Sequence, residues 1–80
     1  MNVIEAYGIV LKKHRTVANL SQEKLAFKCN LDRTYVGMLE RGERQPTIST
    51  LFVIAENLNI PASDFIVEVE QLLESVTNND

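Results

Sequence analysis

The sequence lacks the residues for the disulfide bonds and zinc sites that stabilise many small proteins. It contains one cysteine, Cys29, and one histidine among 80 residues. An internal disulfide is therefore excluded, and no cluster of histidine and cysteine residues has the spacing of a zinc site. A chain of this length has room for one domain, so we expect its stability to come from a single core or from a second subunit.

A basic leader and a long apolar run are also missing. The N-terminal stretch MNVIEAYGIVLKKH has no basic segment before its apolar residues, as a secretory signal would have. No apolar stretch approaches the roughly 20 residues that a membrane span needs. Together with the scarcity of cysteine, these absences predict a soluble, unprocessed, cytoplasmic protein.

Residue patterns for catalysis are scarce. His14 is the only histidine, and it lies between lysines and an arginine with no recognisable triad. The sequence contains no glycine-rich phosphate loop and no paired-acid motif. We therefore predict that the protein is not an enzyme and needs neither a metal nor a cofactor.

Basic residues are absent from the second half of the chain. Residues 1–44 contain all eight lysines and arginines and five acidic residues, whereas residues 45–80 contain six acidic residues and no base. Phosphate binding depends on the charges within a Debye length of roughly 8 to 10 Å. The net charge of -3 therefore does not exclude a polyanionic partner for the basic half, although a solvated charged face is the simpler interpretation.

Apolar residues recur at helical spacing through most of the chain, which predicts an all-α fold. Residues with capping preferences divide it into five helices. The first is predicted to end near Val17, and the fifth opens at Pro61. The predicted caps of the second, third and fourth helices are Ser21, Asp32 and Thr47. We expect one domain over residues 1–77 and a frayed tail over residues 78–80.

Only about three residues, Cys29 to Leu31, join the second helix to the third. This spacing favours a helix-turn-helix over an ordinary helical hairpin. The stretch SQEKLAFKCNLDRTYVGMLERGERQPTISTLFVIAENLNI resembles the Cro/repressor-type helix-turn-helix family of phage and bacterial regulators. Asn19 and Asn30 stand where that family usually has glycine, and asparagine tolerates the positive φ required there. The resemblance, over about residues 8–66, implies a compact five-helix, lambda-repressor-like domain.

Within that family, the run NLDRTYVGMLERGERQPTISTL is most similar to the controller proteins of restriction-modification systems. Those controllers are dimeric regulators, repressors and activators, of their own gene and of the endonuclease gene. The resemblance implies a palindromic double-stranded DNA operator and a second copy of the chain as partners, with RNA polymerase as a further candidate. Two alternatives are a phage-type repressor or antitoxin, and a helical protein-interaction module without DNA binding.

The third helix is expected to enter the major groove with its N-terminal residues at base edges. The predicted base contacts are Arg33, Thr34 and Tyr35, of which Arg33 can fork to guanine O6 and N7. The predicted phosphate or groove contacts are Gln22, Arg44, Gln45, Thr47 and Ser49. The alternatives are a solvated helix start, a half-buried core aromatic at Tyr35 and a capping-turn residue at Gln22.

Two further sets of residues are assigned to the fold and to assembly. The family often has an ion pair between the first and third helices, and Arg15 and Glu40 stand at those positions. The fifth helix carries an apolar stripe wider than a small core should need, which suggests a two-fold dimer. The predicted dimer-interface residues on this stripe are Phe65, Ile66, Val69, Leu72 and Leu73. Such a dimer would hold its third helices about 34 Å apart, one turn of DNA.

Overall fold

The computed structural model describes residues 1–78 of the chain, with side chains described as far as Val76. This part of the chain forms five helices and no strand: α1 (Val3–Val17), α2 (Gln22–Cys29), α3 (Arg33–Glu40), α4 (Ile48–Asn57) and α5 (Ala62–Asn78). The predicted all-α, five-helix fold is confirmed. The predicted frayed tail begins at the last residue of α5, and residues 79 and 80 lie outside the described part.

Short polar side chains set the starts of the three helices for which caps were predicted. Ser21 Oγ accepts from the Lys24 amide at 3.0 Å, and Asp32 Oδ1 accepts from the Thr34 amide at 2.8 Å. Thr47 caps α4 in the same way. Each oxygen satisfies an amide that has no partner within its helix, so these caps fix the starts of α2, α3 and α4.

One connected core joins all five helices. Its fully buried larger side chains come from every helix, namely Phe65, Leu11, Leu25, Leu39, Ile54 and Val36. α1 packs against both α3 and α5. Where α1 crosses α3, a Cβ built on Gly8 would overlap the carbonyl oxygens of Leu39 and Glu40. Only glycine permits so close an approach, and this contact fixes the position of α3.

The inward face of α5 differs from the predicted dimer interface. Phe65 is 1% exposed and Val69 is 3% exposed, and both belong to the core. The Phe65 ring lies 5.1 Å from that of Tyr7 and 5.7 Å from that of His14. Leu72 and Leu73 are partly buried against the same core. The assignment of Phe65 and Val69 to a subunit interface is therefore wrong, because α1 already covers that side of the helix.

A charged cluster joins α1 to α5 at the surface. Lys13 Nζ donates to Glu68 Oε1 at 2.8 Å, and His14 Nε2 lies 2.7 Å from Glu68 Oε2. The hydrogen bond from Lys13 lowers the pKa of Glu68 below its ordinary value, and the contact with His14 lowers it further against the opposing effect of burial.

This cluster predicts a pH-dependent part of the stability. Because the pKa of Glu68 is lower in the folded state, its contribution is complete above about pH 5 and is lost as the pH falls through the folded pKa. Thermal unfolding from about pH 6 to pH 3 should show Glu68→Gln less stable than the wild type by at most about 1 kcal/mol at the upper end, with the difference shrinking as the pH falls. The same substitution at the exposed Glu74 is the control. A difference independent of pH would contradict this role.

Among the described residues, no single helix is both long and apolar enough to cross a membrane. α4 and the first part of α5 meet that criterion only when they are taken together, across a bend of 105°.

Candidate nucleic-acid interface

The turn between α2 and α3 has the geometry that the sequence predicts. Asn30 adopts the left-handed conformation with φ of 56°, and the Leu31 amide donates to the Ala26 carbonyl oxygen at 2.8 Å. Cys29 is 6% exposed, and burial raises the pKa of its thiol, as expected for a structural cysteine. The buried turn and the Asp32 cap together orient the first residues of α3.

The predicted base-contacting residues lie at the start of α3. Arg33 and Thr34 are exposed, and within residues 1–78 no hydrogen bond or ion pair engages either side chain. Tyr35 is half-buried, with its ring packed against the core. Two polar side chains are thus free to meet a ligand, while Tyr35 fits both its predicted base contact and the alternative of a partly buried aromatic.

The loop after α3 presents the second predicted group. Arg44, Gln45 and Ser49 are exposed. The Arg44 guanidinium carbon lies 5.9 Å from the centroid of the Tyr35 ring, within the range of a cation–π contact. The Thr47 hydroxyl accepts from the Thr50 amide at 3.1 Å as the cap of α4. Tyr35 therefore places Arg44 beside the N-terminal half of α3, whereas the Thr47 hydroxyl serves the fold.

Arg15 and Glu40 form the ion pair expected between α1 and α3. Arg15 Nε lies 2.5 Å from Glu40 Oε2, and Nη2 lies 3.0 Å from Oε1. The side chains are 13% and 3% exposed. The hydrogen bond to Glu40 raises the pKa of Arg15, and its third donor, Nη1, reaches the Leu20 carbonyl oxygen at 2.8 Å. A forked, largely buried pair of this kind fixes the angle between the two helices.

Gln22 has a partner that the sequence does not reveal. Its Nε2 donates to Glu40 Oε1 at 2.9 Å, so one carboxylate joins α1, α2 and α3. Gln22 also lines a polar concavity together with Arg33, Thr34, Gly37 and Arg41. Its assignment as a phosphate contact stays a prediction, but the hydrogen bond to Glu40 accounts for its orientation toward α3.

Two features of the surface are missing from the sequence-based assignment. Arg41, immediately after α3, forms an exposed two-point ion pair with Glu43, at 2.9 and 3.2 Å. An open apolar groove also runs between α4 and α5, lined mainly by Ile48, Leu51, Phe52, Ala62, Ile66 and Val67. The sequence does not reveal the first because no local pattern pairs Arg41 with Glu43, and it does not reveal the second because the groove forms only where α4 packs against α5.

Comparison with known proteins identifies this arrangement. Residues 11–65 match the family model described as helix-turn-helix. The control protein C.SmaI of Serratia marcescens is 44% identical over 59 residues, which are 74% of this chain and 70% of that protein. The crystal structure of the controller protein C.AhdI of Aeromonas hydrophila superposes with a TM-score of 0.75 at 39% identity, covering 78% of this chain and 94% of that one.

A third relative has been solved with DNA. The restriction-modification controller protein C.Esp1396I, as a tetramer on its natural 35-base-pair operator, superposes with a TM-score of 0.80 at 34% identity, covering 89% of this chain and 93% of that chain. Matches to the family model and to several controllers thus span most of the chain. The protein belongs to the helix-turn-helix family of transcription regulators and, within it, to the restriction-modification controller proteins.

Proposed function

We propose that the protein binds a palindromic operator upstream of its own gene as a dimer, and that it regulates that gene and a neighbouring endonuclease gene. It acts in the cytoplasm, with RNA polymerase as a further partner. The observation that carries the proposal is the pair of uncommitted polar side chains, Arg33 and Thr34, at the exposed first turn of α3. The operator complex of the related C.Esp1396I supports the same partner for this chain.

The distribution of charge supports this orientation on DNA. Arg33, Arg41 and Arg44 are exposed on α3 and the loop after it, whereas residues 45–80 contain no base. The basic face would meet phosphate, and the acidic residues of α4 and α5 would lie away from the duplex and oppose non-specific attachment. In this orientation the net charge of -3 would not prevent the basic face from meeting DNA.

The apolar groove between α4 and α5 supports a revised dimer interface. Ile48 and Phe52 are 74% and 57% exposed, and Ile66 and Val67 are 37% and 46% exposed. A patch of this kind on a small protein is costly to leave in water and is typical of an interaction site. A two-fold contact through this groove would retain Ile66 from the original assignment and replace the buried Phe65 and Val69.

Arg33 and Arg44 are expected to differ in what they contribute. Arg33→Ala should weaken operator binding by roughly 1 to 3 kcal/mol and relax the preference for one guanine, because a bidentate base contact is lost. Arg44→Ala should weaken binding to most sequences and flatten the salt dependence, because a phosphate contact carries no sequence information. Selection from a random duplex pool, followed by titration at several salt concentrations, measures both effects.

Lys12→Ala is the control for that comparison, because it also removes an exposed positive charge from the basic half but lies on α1. It should leave the selected sequence unchanged. An unchanged base preference in Arg33→Ala would contradict the assignment of α3 to the major groove.

A gel shift tests the proposal as a whole. The protein should retard DNA from upstream of its own gene at concentrations that leave a shuffled duplex of equal length unbound. Retardation of neither duplex would favour the alternative of a protein-interaction module, and equal retardation of both would contradict sequence-specific binding.

A further inference from the structure

Arg41, immediately after α3, lies on the same face as Arg33 of that helix. The two residues are eight positions apart with Gly37 midway, and four-residue spacing keeps side chains on one helical face. A Cβ built on Gly37 would lie 3.0 Å from Arg41 Nη1. Because Gly37 has no side chain, the Arg41 side chain has room to lie back along α3, toward the exposed N-terminal turn of that helix.

The concavity under Arg41 has the chemistry of an anion site. Its lining consists of Arg33, Arg41, Gln22, Thr34 and Gly37. It thus combines two guanidinium groups and a hydroxyl, with no acidic residue in the lining, while the Gln22 amide already donates to Glu40. Arg41 stands at the C-terminal end of α3, whereas base edges are read by residues at the N-terminal end. A DNA phosphate, rather than a base, is the anion that fits this position.

In the free protein, the guanidinium of Arg41 forms an ion pair with Glu43. Its two carboxylate oxygens accept from Arg41 Nε and Nη2 at 2.9 and 3.2 Å, and both side chains are more than half exposed, at 56% and 53%. The hydrogen bonds raise the pKa of Arg41 and lower that of Glu43. A carboxylate and a phosphate offer the same paired oxygens to an arginine fork, so the two compete for it.

We propose that Arg41 is a phosphate-contacting residue of the DNA interface and that Glu43 is its internal competitor, which the DNA backbone displaces on binding. This inference rests on the proposed DNA-binding function and adds to it two residues that the family resemblance did not supply. Because the ion pair is exposed, opening it is easy, and Glu43 tunes the affinity rather than blocking binding.

The test is a titration of operator DNA at several salt concentrations. Arg41→Ala should weaken binding to specific and non-specific duplexes alike and reduce the slope of log K against log salt by about 0.9, the value for one phosphate contact. Glu43→Gln should tighten binding about two- to fivefold, because the guanidinium no longer has to leave a carboxylate. Thermal melting checks that both variants fold, as expected for exposed side chains.

The double variant separates competition from general electrostatics. If Glu43 acts through Arg41, Glu43→Gln should tighten binding by less than half as much when Arg41 is already alanine. Equal tightening in both backgrounds, or an unchanged salt slope for Arg41→Ala, would overturn the inference. Failure of the wild-type protein to bind any duplex would instead contradict the proposed function, so the two failures are distinguishable.

Discussion

Replacing Glu40 with glutamine is expected to lower the free energy of unfolding by about 3 kcal/mol. The Glu40 side chain is 3% exposed and that of Arg15 is 13% exposed. Water therefore cannot solvate the Arg15 guanidinium well once the carboxylate is lost. Arg15 would be left in a poorly solvated position with the Leu20 carbonyl oxygen and a neutral amide as partners. The penalty arises mainly from the uncompensated cation rather than from the net value of the intact pair.

Urea unfolding followed by circular dichroism, at one protein concentration, measures this loss. Glu43→Gln is a matched control. It also replaces a glutamate paired with an arginine by glutamine, but the ion pair of Glu43 with Arg41 is exposed. The control should unfold like the wild type. If Glu40→Gln also did so, the buried ion pair would have no stabilising role. The base preference of Glu40→Gln should be unchanged, because so buried a carboxylate does not reach the DNA.

Introducing a charge into the groove between α4 and α5 is expected to abolish the dimer. Phe52 is 57% exposed in the single chain, so Phe52→Lys should be tolerated by the fold but not by an apolar contact with a second copy. Only a dimer can engage two half-sites at once. We therefore expect operator affinity to fall about 100-fold or more, even though the added charge is attractive to DNA.

Sedimentation over a concentration series and titration of a palindromic operator test this prediction. Phe27→Lys provides the control for sedimentation, because Phe27 is also an exposed phenylalanine, 87% exposed, but lies on α2 away from the groove. It should sediment like the wild type. A Phe52→Lys protein that remains dimeric, or a wild type that is monomeric at micromolar concentration and binds without cooperativity, would contradict the assigned interface.

The helices could be predicted because their signals are local. Ser21, Asp32 and Thr47 cap the helices that they were expected to cap, and Asn19 and Asn30 adopt the positive φ expected of them. Each signal depends on one side chain and the few amides that follow it. The capping box between Asn2 and Glu5 has an equally local signal and could have been found in the same way.

The faces of α5 could not be predicted from periodicity alone. Phe65 and Ile66 are adjacent in a wide apolar stripe, and either could face inward. The structure buries Phe65 and leaves Ile66 37% exposed, because the angle at which α1 crosses α5 decides which residue is covered. The packing of α1 on α5 is a contact between helices far apart in the chain, so the local sequence carries no signal of it.

The sequence indicated several residues of the candidate site, but not the hydrogen bonds and ion pairs between their side chains. The sequence indicated Gln22, Arg33 and Arg44, but not that Gln22 shares the carboxylate of Glu40 with Arg15. Nor did it indicate the Arg41–Glu43 pair, because residues two apart do not face each other on a helix. They meet because the helix ends at Glu40 and Gly42 turns the chain with a φ of 73°.

A footprint on the DNA upstream of the gene shows whether α3 reads a specific DNA sequence. We expect protection centred on two major-groove segments about one helical turn apart, on one face of the duplex. Arg33→Ala should lose this protection at protein concentrations that suffice for the wild type. Absence of a protected segment, or a wild-type pattern that Arg33→Ala reproduces at the same concentration, would show that α3 does not read the operator.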